Sequence, residues 1–125
     1  MKACKRCFRD LPLSEFMPHK RSADKMGYHC RDCDRLGKYG MTYLDFEAMW
    51  AAQGYGCAIC GRDDNPDDKG FAVDHDRRCC PRIGSCGECV RGLLCCNCNR
   101  GIGLFDDNPI KLQAAQDYLE NWRNT

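Results

Sequence analysis

The chain has 125 residues, 13 of them cysteine, and a formal net charge of +1. That length allows one average domain or two very small ones. No apolar run is long enough to span a bilayer, and the Met1–Cys7 start lacks the apolar stretch of a signal peptide. The cysteine count is odd and most of the thiols fall in C-x-x-C pairs, which in a reducing cytoplasm points to metal ligation rather than disulfides.

The small net charge conceals a division. Residues 1–40 carry ten Lys and Arg against five Asp and Glu, and residues 71–105 carry five against three. Residues 41–70 carry two against six, and residues 106–125 two against four. Positive charge therefore follows the cysteine-rich segments. It either balances thiolates, a Cys4 zinc site being itself about −2, or faces phosphate.

Residues 1–40 read as a first zinc-binding module. Cys4 and Cys7 are followed after 22 residues by Cys30 and Cys33, a spacing that predicts a zinc ribbon or treble-clef knuckle. Leu11, Leu13, Phe16 and Met17 are its candidate core, too little to fold without metal. The polar, basic run from His19 to Tyr28 reads as an exposed loop. His19 and His29 are not needed as ligands, because four cysteines complete the set.

Residues 41–125 form the second unit. Gly37 and Gly40 mark a hinge, and Thr42 with Asp45 makes a capping-box-like start to a helix over about 43–53. Phe46, Met49, Trp50 and Gln53 share one face of it, packing positions by their spacing. Gly54 and Gly56 end that helix before Cys57 and Cys60. Residues 61–70 are acidic and turn-rich, without the ligand spacing of a calcium loop. Phe71, Ala72 and Val73 predict a strand that leads into Asp74 and His75. Val90, Arg91, Gly92, Leu93 and Leu94 predict a second strand leading to Cys95 and Cys98. A helix is expected from Cys98, despite the glycines that follow it. Asn108 and Pro109 open a last helix with Leu112, Ala115, Tyr118, Leu119 and Trp122 on its apolar face.

Between the strands lie Cys79, Cys80, Cys86 and Cys89. A third zinc, free thiols and a disulfide all remain open for them, adjacent cysteines being awkward on one metal. Cys96 stays outside any set.

His75, Asp74 and Asn99 are the residues with catalytic chemistry. A histidine can activate water as a general base. An aspartate oxygen and an amide carbonyl suit Mg²⁺ or Mn²⁺, which can neutralise a phosphate and its leaving oxygen. Neighbours on a regular strand point to opposite faces, so Asp74 and His75 can share a site only where the strand ends or twists.

The runs Cys57-Ala58-Ile59-Cys60-Gly61, Val73-Asp74-His75-Asp76, Arg91-Gly92-Leu93-Leu94-Cys95, Cys98-Asn99-Arg100-Gly101 and Asp107-Asn108-Pro109 resemble, in order, the phage recombination endonuclease VII family. That family belongs to the HNH, or ββα-metal, nucleases, and the resemblance covers about residues 42–121. It implies zinc on Cys57, Cys60, Cys95 and Cys98, with Mg²⁺ on Asp74 and Asn99. It also implies His75 as general base and products with 5′-phosphate and 3′-hydroxyl ends. Arg77 stands where a second histidine is common in the family. The junction-resolving members have longer helical regions for dimerisation, so DNA cleavage carries over better than Holliday-junction specificity.

The expectation is thus a small α+β, zinc-stabilised protein. It has an HNH ββα-metal, treble-clef-like nuclease core over 41–125, an N-terminal Cys4 zinc-ribbon-like module over 1–40, and a C-terminal helix. Its cofactors would be two structural zinc ions, or three, and a catalytic Mg²⁺ or Mn²⁺. Its substrate would be DNA, with Arg77 and Arg91 on phosphate. No membrane partner is expected. Homodimerisation and phage packaging or recombination partners stay open, and a phage-encoded protein would act in the bacterial host cytoplasm. The competing reading is a zinc-finger DNA-binding or adaptor protein without catalysis.

Overall fold

The chain builds one small unit twice. The computed structural model describes residues 1–65, 70–82 and 84–122. The part of the acidic loop at 66–69 lies outside the described residues. Each unit runs from a cysteine knuckle through an antiparallel hairpin to a helix whose first turn holds two further cysteines.

In the first unit the knuckle lies between β1 (Lys2–Ala3) and β2 (Asp10–Leu11). β3 (Phe16–Pro18) then pairs with β4 (Met26–Cys30), and α1 (Arg31–Gly37) follows at once. In the second, the Cys57 knuckle precedes β5 (Ala72–His75), β6 (Val90–Leu94) and α3 (Cys96–Leu104).

The likeness extends to single bonds. The Cys4 N–H donates to the Arg9 carbonyl at 3.0 Å, and the Cys57 N–H to that of Arg62 at 2.8 Å. Phe8 N–H returns to the Cys4 carbonyl and Gly61 N–H to that of Cys57. Both turns need a left-handed residue, Phe8 at φ 62° and Gly61 at φ 79°, and only the second uses the glycine that adopts it without strain. At the helix starts, Cys30 Sγ accepts from Cys33 N–H and Cys95 Sγ from Cys98 N–H, each at 3.4 Å. Each thiol thereby acts as a cap to its helix. All four pairs read C-x-x-C-x-Arg, ending at Arg9, Arg35, Arg62 and Arg100.

Of the two expected forms, ribbon or treble-clef knuckle, the N-terminal module takes the second, with α1 following its hairpin. Nothing in the sequence analysis anticipated α1, whose only buried residues are Cys33 and Leu36. The buried set in this module is Cys4, Phe16, Cys30 and Cys33, so thiols supply three of its four members. Leu13 and Met17, expected in that core, are exposed. The loop expected over His19–Tyr28 gives way to β4 from Met26 onward.

A second core joins the units. Leu36, Met41, Cys57, Phe71, Val73, Leu93, Leu94 and Cys95 are buried together, with Phe46, Met49, Trp50 and Ile102 packed around them. Each fully buried aliphatic or aromatic side chain contributes roughly 1.5–3 kcal/mol. Leu36 belongs to α1, so the first helix is pinned into the second core. α2 (Tyr43–Ala52) starts with the expected capping box: Asp45 N–H donates to Thr42 Oγ1 and Thr42 N–H to Asp45 Oδ2. Trp50 meets Phe71 edge-on at 4.7 Å between ring centroids.

α4 (Pro109–Asn121) begins at the expected cap, with Asn108 Oδ1 accepting from Ile110 and Lys111 N–H. Its apolar face is not core, contrary to expectation. Tyr118, Leu119 and Trp122 are 77%, 65% and 63% exposed, and only Leu112 and Ala115 are half-buried. Among the described residues, no helix is long and apolar enough to cross a membrane.

Candidate active site

β5 and α3 bring the three candidate residues to one cleft. Asp74, His75 and Asn99 are half-buried and line a single cleft of about 340 Å³, with Tyr39, Arg77 and Arg82 at its wall. Asp74 and His75 share the cleft although they are adjacent on a strand. The pairing breaks beside them: Asp74 pairs with Gly92 but His75 pairs with Val90, leaving Arg91 of β6 as an extra residue. Such a bulge bends the strand that carries the extra residue, here β6 at Arg91. Asn99 reaches the cleft from the first turn of α3, one residue after the knuckle cysteine Cys98.

His75 has defined neighbours. Its Nε2 lies 3.1 Å from the Cys80 carbonyl, and its ring is 5.8 Å from the Tyr39 ring. A carbonyl oxygen only accepts, so this contact places the proton on Nε2 and leaves Nδ1 with a lone pair. That is the tautomer a general base requires.

Asp74 is held by Arg91. Nε donates to Oδ2 at 2.7 Å and Nη2 to Oδ1 at 2.9 Å, and Nη2 also reaches Asp107 at 3.1 Å. The paired carboxylates, Asp74 above all, hold the Arg91 guanidinium above its ordinary range. Arg91 is thus a strut between β5 and the residues before α4, where the sequence suggested a free phosphate contact. Arg77, by contrast, is exposed and lines the cleft and the two hollows beside it. Among the described residues Arg77, Arg82 and Arg100 make no ion pair.

The thiols form three clusters of four: Cys4, Cys7, Cys30 and Cys33; Cys57, Cys60, Cys95 and Cys98; Cys79, Cys80, Cys86 and Cys89. A tetrahedral ion about 2.3 Å from each sulfur sets neighbouring sulfurs about 3.8 Å apart. Cys4 and Cys33 stand 3.8 Å apart, Cys7 and Cys30 3.9 Å, and Cys60 and Cys95 3.8 Å. The clusters fit a thiophilic cation. Burial pushes the Cys4 thiol up, but N–H donors from Cys7, Cys30 and Arg6 outweigh it and bring it to about 6. Cys57 is likewise brought to about 6 against burial, by the N–H groups of Cys60, Cys95 and Ile59. Cys33, buried, and Cys98, half-buried, are pushed up instead by desolvation and the neighbouring thiols. His19 and His29 lie outside the clusters, and His19 Nδ1 accepts from the Arg21 and Ser22 N–H groups.

The cleft also has the donors for a hard cation. Asp74 offers a carboxylate and Asn99 an amide oxygen, and a carboxylate oxygen that accepts from Arg91 keeps a second lone pair.

The family model for recombination endonuclease VII matches residues 32–121. The chain belongs to the recombination endonuclease VII family. Membership places it among endonucleases, and the matched span contains every residue of the cleft named above. Two phage proteins are similar over nearly the whole chain. The Gene 59 protein of Mycobacterium phage D29 is 33% identical over 134 residues, covering 94% of this chain and 73% of that protein. The Gene 59 protein of Mycobacterium phage L5 is 29% identical over 136 residues, covering 96% and 74%. Among solved structures, the ββα-Me type II restriction endonuclease Hpy99I aligns with a TM-score of 0.41 and 22% identity. It covers 97% of this chain, which spans 65% of that structure.

Sequence reasoning missed the Cys80 carbonyl and the strut role of Arg91. A backbone oxygen leaves no trace in residue type. The bulge that turns Arg91 inward depends on strand register.

Proposed function

We propose that this recombination endonuclease VII family member is a metal-dependent DNA endonuclease, with His75 as general base and a divalent cation held by Asp74 and Asn99. The observation that supports the reading is that Asp74, His75 and Asn99 all line one cleft, with His75 Nε2 at 3.1 Å from the Cys80 carbonyl. His75 Nδ1 takes the proton from the attacking water. Arg77, without an ion pair among the described residues and at the cleft wall, sits against the phosphate. When bound, the cation supplies charge neutralisation at the phosphate and at the departing oxygen. Attack by water at phosphorus with loss of the 3′ oxygen leaves a 5′-phosphate and a 3′-hydroxyl.

The Cys4 and Cys57 clusters are proposed as structural zinc sites, each closed by four thiolates and so without an open position for chemistry. Residues 1–40 would add grip through charge, and residues 41–125 would cut. The setting would be the cytoplasm of a phage-infected host.

A plasmid-nicking assay with Mg²⁺ tests the proposal. The wild type should nick, and His75→Ala should lose the activity at unchanged zinc content. Undiminished nicking by His75→Ala would remove the catalytic assignment. A zinc-loaded wild type that binds DNA without nicking it would favour the binding-protein reading.

A further inference from the structure

The loop between β5 and β6 carries four thiols that the proposed reaction does not use. The sulfurs of Cys79, Cys80, Cys86 and Cys89 lie within 4.8 Å of one another. Cys79 stands 3.8 Å from Cys86 and 3.9 Å from Cys80. These are the edge lengths found in the Cys4 and Cys57 clusters, and those of a tetrahedral thiolate site. Adjacent cysteines reach one point here because the backbone turns between them and the strand. The N–H groups of Cys79 and Cys80 both donate to the Asp76 carbonyl at 3.1 Å.

Packing does not explain the convergence. Cys79 and Cys86 are exposed, and so is Pro81. The loop is fastened at few points. Asp76 N–H donates to the Cys89 carbonyl, Ser85 N–H to that of Lys38, and Ser85 Oγ to that of Tyr39. Gly87 lies so close to Gly40 that a Cβ on Gly40 would come within 2.7 Å of its backbone. These contacts seat the loop on the α1–α2 connection, while Cys79 and Cys86 stay exposed and Cys80 and Cys89 half-buried. A shared cation accounts for sulfurs gathered in such an open place.

The same loop sets the base. Cys80, whose sulfur belongs to the cluster, also offers the carbonyl that His75 Nε2 meets at 3.1 Å. We propose that Cys79, Cys80, Cys86 and Cys89 bind a third zinc ion, and that this ion makes Cys80 a positioning residue for His75. The ion fixes the loop, and the fixed carbonyl holds the imidazole proton on Nε2. The positioning half rests on His75 being the base, as proposed above. The metal half does not.

The test uses the full chain loaded with zinc. Native mass spectrometry should count three zinc ions in the wild type and two in the double variant Cys79→Ser, Cys86→Ser. In that variant kcat for plasmid nicking should fall about 10–100-fold, the usual effect of losing an orienting partner, with KM for DNA unchanged. Nitrogen NMR should show His75 as the single Nε2–H tautomer in the wild type and as a mixture in the variant. The single variant Cys86→His, which restores a zinc ligand, should recover the third ion, the tautomer and most of the rate. Two zinc ions in the wild type would overturn the site. A double variant with two ions, unchanged kcat and an unchanged tautomer would overturn the positioning role. Zinc count and ring tautomer do not depend on turnover. An inactive wild type with three ions and a single tautomer would therefore support this site while sinking the nuclease reading.

Discussion

Arg91 Nε donates to Asp74 Oδ2 at 2.7 Å, joining the extra residue of β6 to the carboxylate that faces it across the bulge. The same guanidinium reaches Asp107, so one side chain fixes the angle between the hairpin and the start of α4. With its charge already shared by two carboxylates, Arg91 has little left for phosphate. Removing it should weaken DNA binding far less than removing Arg77. A phosphate contact steepens the logarithmic salt dependence of affinity by about 0.9. Arg77→Ala should therefore lower that slope by about one, and Arg91→Ala by much less. Fluorescence titrations of the zinc-loaded chain against duplex DNA at several salt concentrations read both.

Arg91 should matter for stability and geometry instead. Arg91→Ala leaves the Asp74 carboxylate, 12% exposed, without its bidentate partner. The arginine is itself 38% exposed, so solvent screening limits the loss to about 1 kcal/mol. Arg91→Lys keeps the charge but not the two-pronged geometry and should recover only part of it. Urea unfolding of the three proteins at equal zinc loading gives the ranking. A lysine variant equal to wild type would mean that charge alone suffices.

The clusters differ in shelter, which sets the order of metal loss. Cys4, Cys30 and Cys33 are buried, as are Cys57 and Cys95, whereas Cys79 and Cys86 are exposed. A chelator should strip the Cys79 cluster first, slowing nicking with little change in far-ultraviolet circular dichroism. Removal from the Cys4 cluster should unfold residues 1–30, where Phe16 is the one buried hydrophobic residue that is not a cysteine. Hydrogen exchange followed during chelation separates the two events. Simultaneous loss of protection in both regions would contradict this order.

Acid should release the sheltered ions within a definable window. The Cys4 and Cys57 thiols sit at about 6 in the folded chain, below their ordinary value of 9.0. For a group so depressed, the folded state gains from ionisation above the ordinary value and loses that gain as pH falls through the folded one. Protons then compete directly with the metal. Zinc uptake by the metal-free chain should weaken steeply as pH drops through about 6, and release from the loaded chain, followed with a chromogenic chelator, should need a lower pH still. Cys4→Ser and Cys57→Ser should release at higher pH.

Most of α4 is exposed, with Leu112 and Ala115 half-buried, so its N-terminal cap should matter to it. Asn108 Oδ1 accepts from the Ile110 and Lys111 N–H groups at 2.9 and 3.3 Å. Asn108→Ala should cost the helix about 1 kcal/mol. The change should appear as faster amide exchange over residues 110–121, with exchange in β5 and β6 unaltered.

Which parts of this molecule could be read from its residues follows from what kind of signal each leaves. Cysteine spacing, the Thr42–Asp45 capping box, the strands leading to Asp74-His75 and to Cys95, and the Asn108-Pro109 helix start are short-range patterns, and each appears where expected. α1 left no pattern, because Arg31–Gly37 buries only Cys33 and Leu36, too few positions for a period. Periodicity showed which face of α4 is apolar but says nothing about what, if anything, covers it. The doubling of the unit was hidden by unequal insertions, 22 residues between cysteine pairs in one copy and 34 in the other. Only the cysteines, the arginines after them, and a buried phenylalanine, Phe16 or Phe71, stand out in both copies.

Two copies of one scaffold allow their surfaces to diverge without threatening either fold. Counted from the phenylalanine, His19 and Lys20 occupy the places of Asp74 and His75, and Asp34 follows Cys33 as Asn99 follows Cys98. The first copy thus keeps the frame while presenting a different set of side chains at the matching positions. An ancestor with a single copy, doubled in tandem, would be free to keep one half as the blade and let the other drift into a handle.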